Sequence, residues 1–390
     1  MPTFNSLPTG SRVEQVAKGG LAVFLSLGAV VLTGCSSSGD SDRVNPDPIE
    51  TVAPETAAPQ QPEATTPSDG TGPKTVAYLP TWLSEEGRQG TYAELLQLPE
   101  DSYDTVIVSF AEPNAEGGLN VPEMSQDALE VVNKLGKEKG LAVGGYGEDD
   151  IEHEAMNSYW AKVLENPETM VRGIVDVVKQ NEYSSVDIDY EYPTAEQKVQ
   201  FTAFIAALRN ALPANIAITL AIPAFDGSRV GYDFPALNEF IGEGGYHLMS
   251  YDYSGSWSPK AGDVANAGDV AYNLDAAIAE IGDPKKVSLG FDSICRVFKG
   301  AKARGDNYSG QTEDIGFAEL VQSGVEIVDD AKLASSSANF KGSWTSCTSP
   351  NVVREVIARA LQQNEQLGGF FVWHAGGADA EFAQALDSAK

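Results

Sequence analysis

Eight short apolar runs, separated by stretches of helical periodicity, are the feature that most narrows the fold of this chain. The runs are Thr75–Leu79, Thr105–Ala111, Leu141–Gly145, Val186–Tyr190, Ile216–Ile222, His247–Tyr251, Val287–Phe291 and Gly369–Trp373. Several are apolar at nearly every position, as strands covered on both faces must be. Helices are expected between them. Ser125–Lys139 places Leu129, Val131, Val132 and Leu135 on its apolar stripe. Glu168–Gln180 places Met170, Val171, Ile174, Val175 and Val178 there, and Glu196–Leu212 places Val199, Phe201, Phe204, Ile205 and Leu208.

This rhythm across residues 75–390 predicts an α/β fold, a (β/α)8 TIM barrel, which takes ~250 residues plus insertions. An open doubly wound sheet is the alternative. It favours a Gly-rich phosphate loop after the first strand, and Tyr78-Leu79-Pro80-Thr81-Trp82 is not one. The longest interval, residues 292–368, lies between the seventh and eighth runs. It holds a predicted helix, Ser349–Gln363, and weaker patterning over about 299–348, read as an inserted loop or small subdomain.

The chemistry is written on the fourth run, Ser-Ser-Val-Asp-Ile-Asp-Tyr-Glu-Tyr-Pro, residues 184–193. Asp187, Asp189 and Glu191 are two apart, so a strand carries them on one face, while Val186, Ile188 and Tyr190 turn toward the helices. In a barrel the acids point inward, with Glu191 nearest the C-terminal mouth where barrel enzymes work. Crowded carboxylates cannot all ionise cheaply, and a carboxyl that keeps its proton near neutral pH is what a general acid needs. With 56 acidic residues in 390, a triplet of this spacing is expected about once by chance, so its setting on a β-branched strand carries the argument.

That stretch resembles the signature of family 18 glycoside hydrolases, the chitinases and their relatives, Asp-Gly-apolar-Asp-apolar-Asp-x-Glu on the fourth barrel strand. Further pieces follow in the family's order: Gly144-Gly145 ending the third strand, the segment from Met249 to Trp257 at the sixth, Leu289-Gly290-Phe291 followed by Arg296 at the seventh, and Trp373 closing the eighth. Two positions differ: Ser184-Ser185 stand where the pattern opens with Asp-Gly, and Tyr190 stands where tryptophan is frequent.

The resemblance implies a retaining hydrolase of β-1,4 bonds in chitin or chitooligosaccharides, in which the substrate's own acetamide is the nucleophile. Under it, Glu191 protonates the leaving oxygen and then activates water. Asp189 binds the acetamide N–H and steadies the positive intermediate, with Asp187 beneath it. Tyr251 bonds the acetamide oxygen, and Asp252 contacts the sugar or the acid. Trp373 floors the sugar, with Met249, Trp257 and Gly145 also lining the binding site. Trp82 and Trp344 are further stacking candidates, and for these two and Trp257 loop packing is an equal reading. Neither a metal nor an organic cofactor is implied. His153, His247 and His374 lack metal-ligand spacing and default to structural roles. Tyr146, Glu148, Asp149 and Asp150 are read as an acidic rim. Two other readings stay open: an endo-β-N-acetylglucosaminidase acting on N-glycans, and a catalytically silent glycan-binding protein.

Ahead of the barrel, Arg12 and Lys18 precede an apolar run, Leu21–Leu32, of 12 residues. That is too short to span a bilayer, which needs ~20, and fits the hydrophobic region of a signal peptide. It runs into Leu32-Thr33-Gly34-Cys35, which resembles the lipobox of bacterial lipoproteins. Residues 1–34 are therefore expected to be removed and Cys35 lipidated, holding the chain at the cell envelope or surface. Residues 36–74 contain seven prolines among Ser, Thr, Ala, Gln and Glu, and read as an extended tether. In an oxidising compartment Cys295 and Cys347 then form the only available pair. The net charge of −30 opposes nucleic-acid binding. Partners are expected to be the glycan and, through the lipid alone, a membrane; the protein is expected to be a monomer.

Overall fold

The computed structural model describes residues 72–83, 90–147 and 150–388. The expected signal peptide, Cys35 and nearly all of the tether lie outside the described residues.

Each of the eight apolar runs contributes one strand to a closed parallel barrel: Lys74–Pro80, Tyr103–Pro113, Gly136–Gly144, Ser185–Asp189, Ala217–Pro223, Tyr246–Met249, Val287–Asp292 and Gly369–Trp373. Closure is visible at Val76, which pairs with Phe371 of the eighth strand and with Thr105 of the second. Alternation along each strand sorts side chains between two apolar clusters. Val186 and Ile188 join the large outer cluster between strands and helices. The inner cluster is small and aromatic, built from Val76, Tyr78, Ile107, Ala142, Tyr251 and Phe371 with Phe110, Met249 and Trp373 packed on it.

Two helix expectations need correction. The helix expected over Ser125–Lys139 is Gln126–Leu135, capped by the Ser125 hydroxyl accepting from the Ala128 amide at 3.1 Å. Gly136–Lys139 belong to the third strand, because pairing with the second strand (Tyr103 opposite Gly136) overrides the helical leaning of Lys-Glu-Lys. Leu129 is exposed. In the helix Lys198–Ala211 the buried stripe is Phe201, Phe204, Ile205 and Leu208. Val199, two residues before Phe201, falls on the opposite side and is 76% exposed.

The insertion is a five-stranded antiparallel sheet in the order Thr312–Gly316, Ile294–Phe298, Ser343–Cys347, Ser335–Phe340 and Val328–Asp330. Its first strand starts at Ile294, five residues ahead of the expected 299, with Ser293 alone separating it from the seventh barrel strand. Arg296 therefore sits on the inserted sheet, opposite Ser346. Cys295 and Cys347 form a disulfide with Cα atoms 4.4 Å apart, joining two adjacent strands. Trp344 is buried with Phe298, Ala261 and Ala301 inside this sheet's own small core, so it is not a sugar-stacking candidate.

Candidate active site

The fourth strand delivers its acids as a ladder rising toward the C-terminal mouth. Asp187 is fully buried, Asp189 is 4% exposed, and Glu191, just beyond the strand, is half-buried. The Gly144-Gly145 pair lets the third strand lie against this ladder. Gly144 has φ +124°, and a Cβ there would stand 2.0 Å from the Asp189 carbonyl oxygen. Gly145, at φ +96°, donates its amide to that same carbonyl at 2.9 Å. Gly145 thus fixes the backbone under Asp189, with its own donor already engaged.

Burial is the main electrostatic force here. It holds the Asp189 carboxyl well above the usual carboxylate range, with Glu191 and then Asp187 adding repulsion. It pushes Glu191 up to about 7, with a bond from Tyr192 opposing and the Asp252 charge adding. Glu191 thus has the protonation a general acid requires near neutrality. One oxygen of Asp189, Oδ1, is buried with no hydrogen-bond partner, an acceptor left unsatisfied within the site.

The sixth strand, separated from the fourth by the fifth alone, and the loop after it supply the adjoining wall. Tyr251 is buried in the inner cluster, and its hydroxyl is held far above its ordinary value, first by burial and then by the Asp292 and Asp189 charges. Met249 packs on the same cluster. Asp252, at φ +58°, pairs with Arg296 at 2.9 Å. Arg296 also binds Asp314 at 3.0 Å and lies 5.3 Å over the Trp257 ring. Trp257 itself is 64% exposed, a ring held by a cation with a face left to solvent.

Trp373 lines the floor. Its ring stacks on Phe110 at 5.6 Å and meets Tyr78 edge-on at 5.8 Å. Phe110 in turn stacks with Trp82, which is 52% exposed, so the aromatic surface continues outward from the mouth.

Four residues at the site are not among the site residues expected from sequence. Tyr78 donates to Asp187 at 2.9 Å and lies 2.6 Å from His247 Nδ1. Thr219 donates to the other Asp187 oxygen at 2.5 Å. Period-two counting back from Met249 and Tyr251 would have put His247 on the inward face. Asp292 ends the seventh strand opposite Trp373 and is buried. Its carboxyl is held well above the usual range by burial and the Asp252 charge, while the Ile294 amide donates to it at 2.7 Å.

Of the other residues singled out, Tyr146 is exposed and stacks on His153 at 3.8 Å. Glu148 and Asp149 lie outside the described residues. His374 caps a short helical turn by accepting from the Gly376 amide. No cluster of three or more metal-ligating side chains occurs among the described residues.

Against known proteins, the family model for "Glycosyl hydrolases family 18" matches residues 74–378. Probable chitinase 10 of Drosophila melanogaster is 26% identical over 147 residues, 34% of this chain and 6% of that protein. Probable chitinase 2 of the same organism is 24% identical over 260 residues, 57% of this chain and 51% of that protein. The chain thus spans about half or less of these relatives' length. Among solved structures, a family 18 chitinase of Cycas revoluta in complex with allosamidin superposes with a TM-score of 0.66 at 19% identity, covering 81% of this chain and 99% of that one. At that identity the likeness is one of fold.

Proposed function

The chain belongs to the glycosyl hydrolases of family 18, and from that premise we propose that it cleaves β-1,4 bonds of chitin or chitooligosaccharides with retention. One observation carries the reading: Glu191, poised near neutral pH, stands one step above Asp189, whose buried Oδ1 lacks a partner, in the same barrel mouth as Tyr251.

The reaction follows from these groups. Glu191 donates its proton to the leaving oxygen as the glycosidic bond breaks. The substrate's acetamide oxygen closes on the sugar's reacting carbon, forming an oxazolinium-like intermediate. Asp189 Oδ1 accepts the acetamide N–H and balances the positive charge, and the Tyr251 hydroxyl donates to the acetamide oxygen. Glu191, now a base, takes a proton from the water that opens the ring. Holding the internal nucleophile in place can contribute several kcal/mol, ~7–11 in the best cases. Trp373 offers a stacking face beneath the sugar, and Trp257 offers one nearer the rim.

The test is product analysis on chitooligosaccharides and on a high-mannose glycopeptide, with Glu191→Gln as control and allosamidin as inhibitor. Retained β-products, blocked by allosamidin and absent with Glu191→Gln, are expected. Undiminished cleavage by Glu191→Gln would overturn the mechanism. Cleavage of the glycopeptide alone moves the substrate to N-glycans, and binding without cleavage moves the protein to a glycan-binding role.

We further propose that Cys35 carries a lipid that holds the protein at a bacterial envelope membrane, with residues 36–74 as its tether. The Leu32-Thr33-Gly34-Cys35 sequence after a 12-residue apolar run supports this. Cys35→Ala should lose palmitate label; labelling that persists rejects the anchor.

A further inference from the structure

Besides the Arg296–Asp252 pair, the inserted sheet grips the barrel through a connection between two of its strands. Ile294–Phe298 and Thr312–Gly316 are joined by residues 299–311, and this connection docks on the loop after the sixth barrel strand. The Ala261 amide donates to the Asp306 carbonyl at 3.0 Å, and the Gly305 amide donates to the Ala261 carbonyl at 2.8 Å. Arg304 reaches the Asp263 carboxylate at 2.8 Å. Tyr308 completes the contact. Its ring packs edge-on against Phe298 at 5.2 Å, on the small core that also holds Ala261. Its hydroxyl stands 3.1 Å from the Gly255 carbonyl oxygen, 3.0 Å from that of Ser256 and 2.8 Å from that of Ser258.

Those three carbonyls belong to one tight turn, and Trp257 is inside it. The Ser258 amide donates to the Gly255 carbonyl at 2.9 Å, and the Gly255 amide donates to the Ser258 hydroxyl at 3.1 Å. The turn thus closes on itself, and Tyr308 sets its donor against carbonyls on both sides of Trp257. One phenol proton serves three acceptors, with Ser258 the nearest. The turn lays the indole on Gly255, where a Cβ would stand 2.3 Å from Trp257 Cη2. Arg296 holds the ring from 5.3 Å. Trp257 nevertheless stays 64% exposed. An exposed ring fixed in this way is ordered before a ligand arrives. A loose turn would have to be ordered on binding, which weakens affinity.

We infer that Tyr308 is a positioning residue: its hydroxyl latches the turn 255–258 so that Trp257 presents its ring to a sugar of the bound chitooligosaccharide. The consequence rests on the hydrolase reading above, in which Trp257 stacks nearer the rim than the acids. The latch therefore acts on substrate binding, through Trp257, and not on the bond-breaking step.

Two measurements in the full chain test the latch. Tyr308→Phe keeps the ring against Phe298 and removes only the donor. On chitohexaose its KM should rise about fivefold with kcat within about twofold, the pattern of lost uniform binding. Added to Trp257→Ala, Tyr308→Phe should change KM by less than about 1.5-fold, because the residue it acts through is gone. An unchanged KM, a loss confined to kcat, or the same fivefold loss in the Trp257→Ala background overturns the role. In the second measurement 5-fluorotryptophan replaces the five tryptophans, and the Trp257 fluorine line is identified by its loss in Trp257→Phe. In Tyr308→Phe that line should narrow and shift toward its position in the unfolded chain, while the lines of Trp82, Trp160 and Trp373 stay in place. An unmoved Trp257 line overturns the inference. If the unaltered chain cleaves no chitooligosaccharide, the hydrolase reading fails, while the fluorine lines still decide whether Tyr308 holds Trp257.

Discussion

Asp252 and Arg296 meet at 2.9 Å across the seam between the barrel and the inserted sheet. Asp252 follows the sixth barrel strand. Arg296 lies on the first inserted strand, beside the Cys295–Cys347 disulfide. The insertion therefore supplies the cation that offsets a half-exposed acid in the candidate active site.

Removing that cation should be read in the pH profile. In Arg296→Gln, Asp252 loses the charge that opposes its protonation and turns neutral at higher pH. The Asp252 charge is one of the influences raising Glu191. The alkaline limb of the rate should therefore move down, by roughly half a unit to one unit. An unmoved limb would show that Asp252 does not govern the acid.

Glu191 itself sets the position of that limb. It is raised to about 7, so it carries its proton below that pH and loses it above. Activity should fall as pH rises through about 7. Glu191→Gln should lower kcat by ~10²–10⁴ with an unchanged circular dichroism spectrum. A pH profile flat to pH 9 would assign the proton to another group.

The acids should cost stability. Asp189 and Glu191 have folded values raised above their unfolded ones, so the native state binds more protons than the unfolded state between the two values. Stability then falls as pH rises through that window. Asp189→Asn removes the buried charge. At pH 8 it should raise Tm by a few degrees, for roughly 1 kcal/mol, while abolishing cleavage; at pH 4 the gain should shrink. A Tm that drops at pH 8 would contradict this account.

The disulfide closes a loop of 52 residues and should contribute ~2–4 kcal/mol. Cys295→Ser with Cys347→Ser should lower the unfolding midpoint accordingly. Because Arg296 neighbours Cys295, activity should fall in the same variant well below its unfolding temperature. Full activity there would mean the sheet holds Arg296 without the bond.

The barrel was legible because parallel strands buried on both faces leave continuous apolar runs, and each of the eight runs contributes one barrel strand. Helix limits were less legible where tertiary pairing overrode local preference, as at Gly136–Lys139, and where one apolar residue such as Val199 fell off the stripe. The first inserted strand began earlier than its weak pattern suggested, because pairing with Thr312–Gly316 extends it back to Ile294 beside the barrel.

The sequence by itself determined that Asp187, Asp189 and Glu191 share one face, since strand side chains alternate with period two. It also supplied the glycines that let a neighbouring strand approach them. Only the tertiary structure decided which groups surround those acids. Tyr78, Thr219 and His247 lie 109, 32 and 60 residues from Asp187 along the chain and reach it only when the barrel closes. Protonation states follow from burial and from neighbours in space, and neither is written in the order of residues.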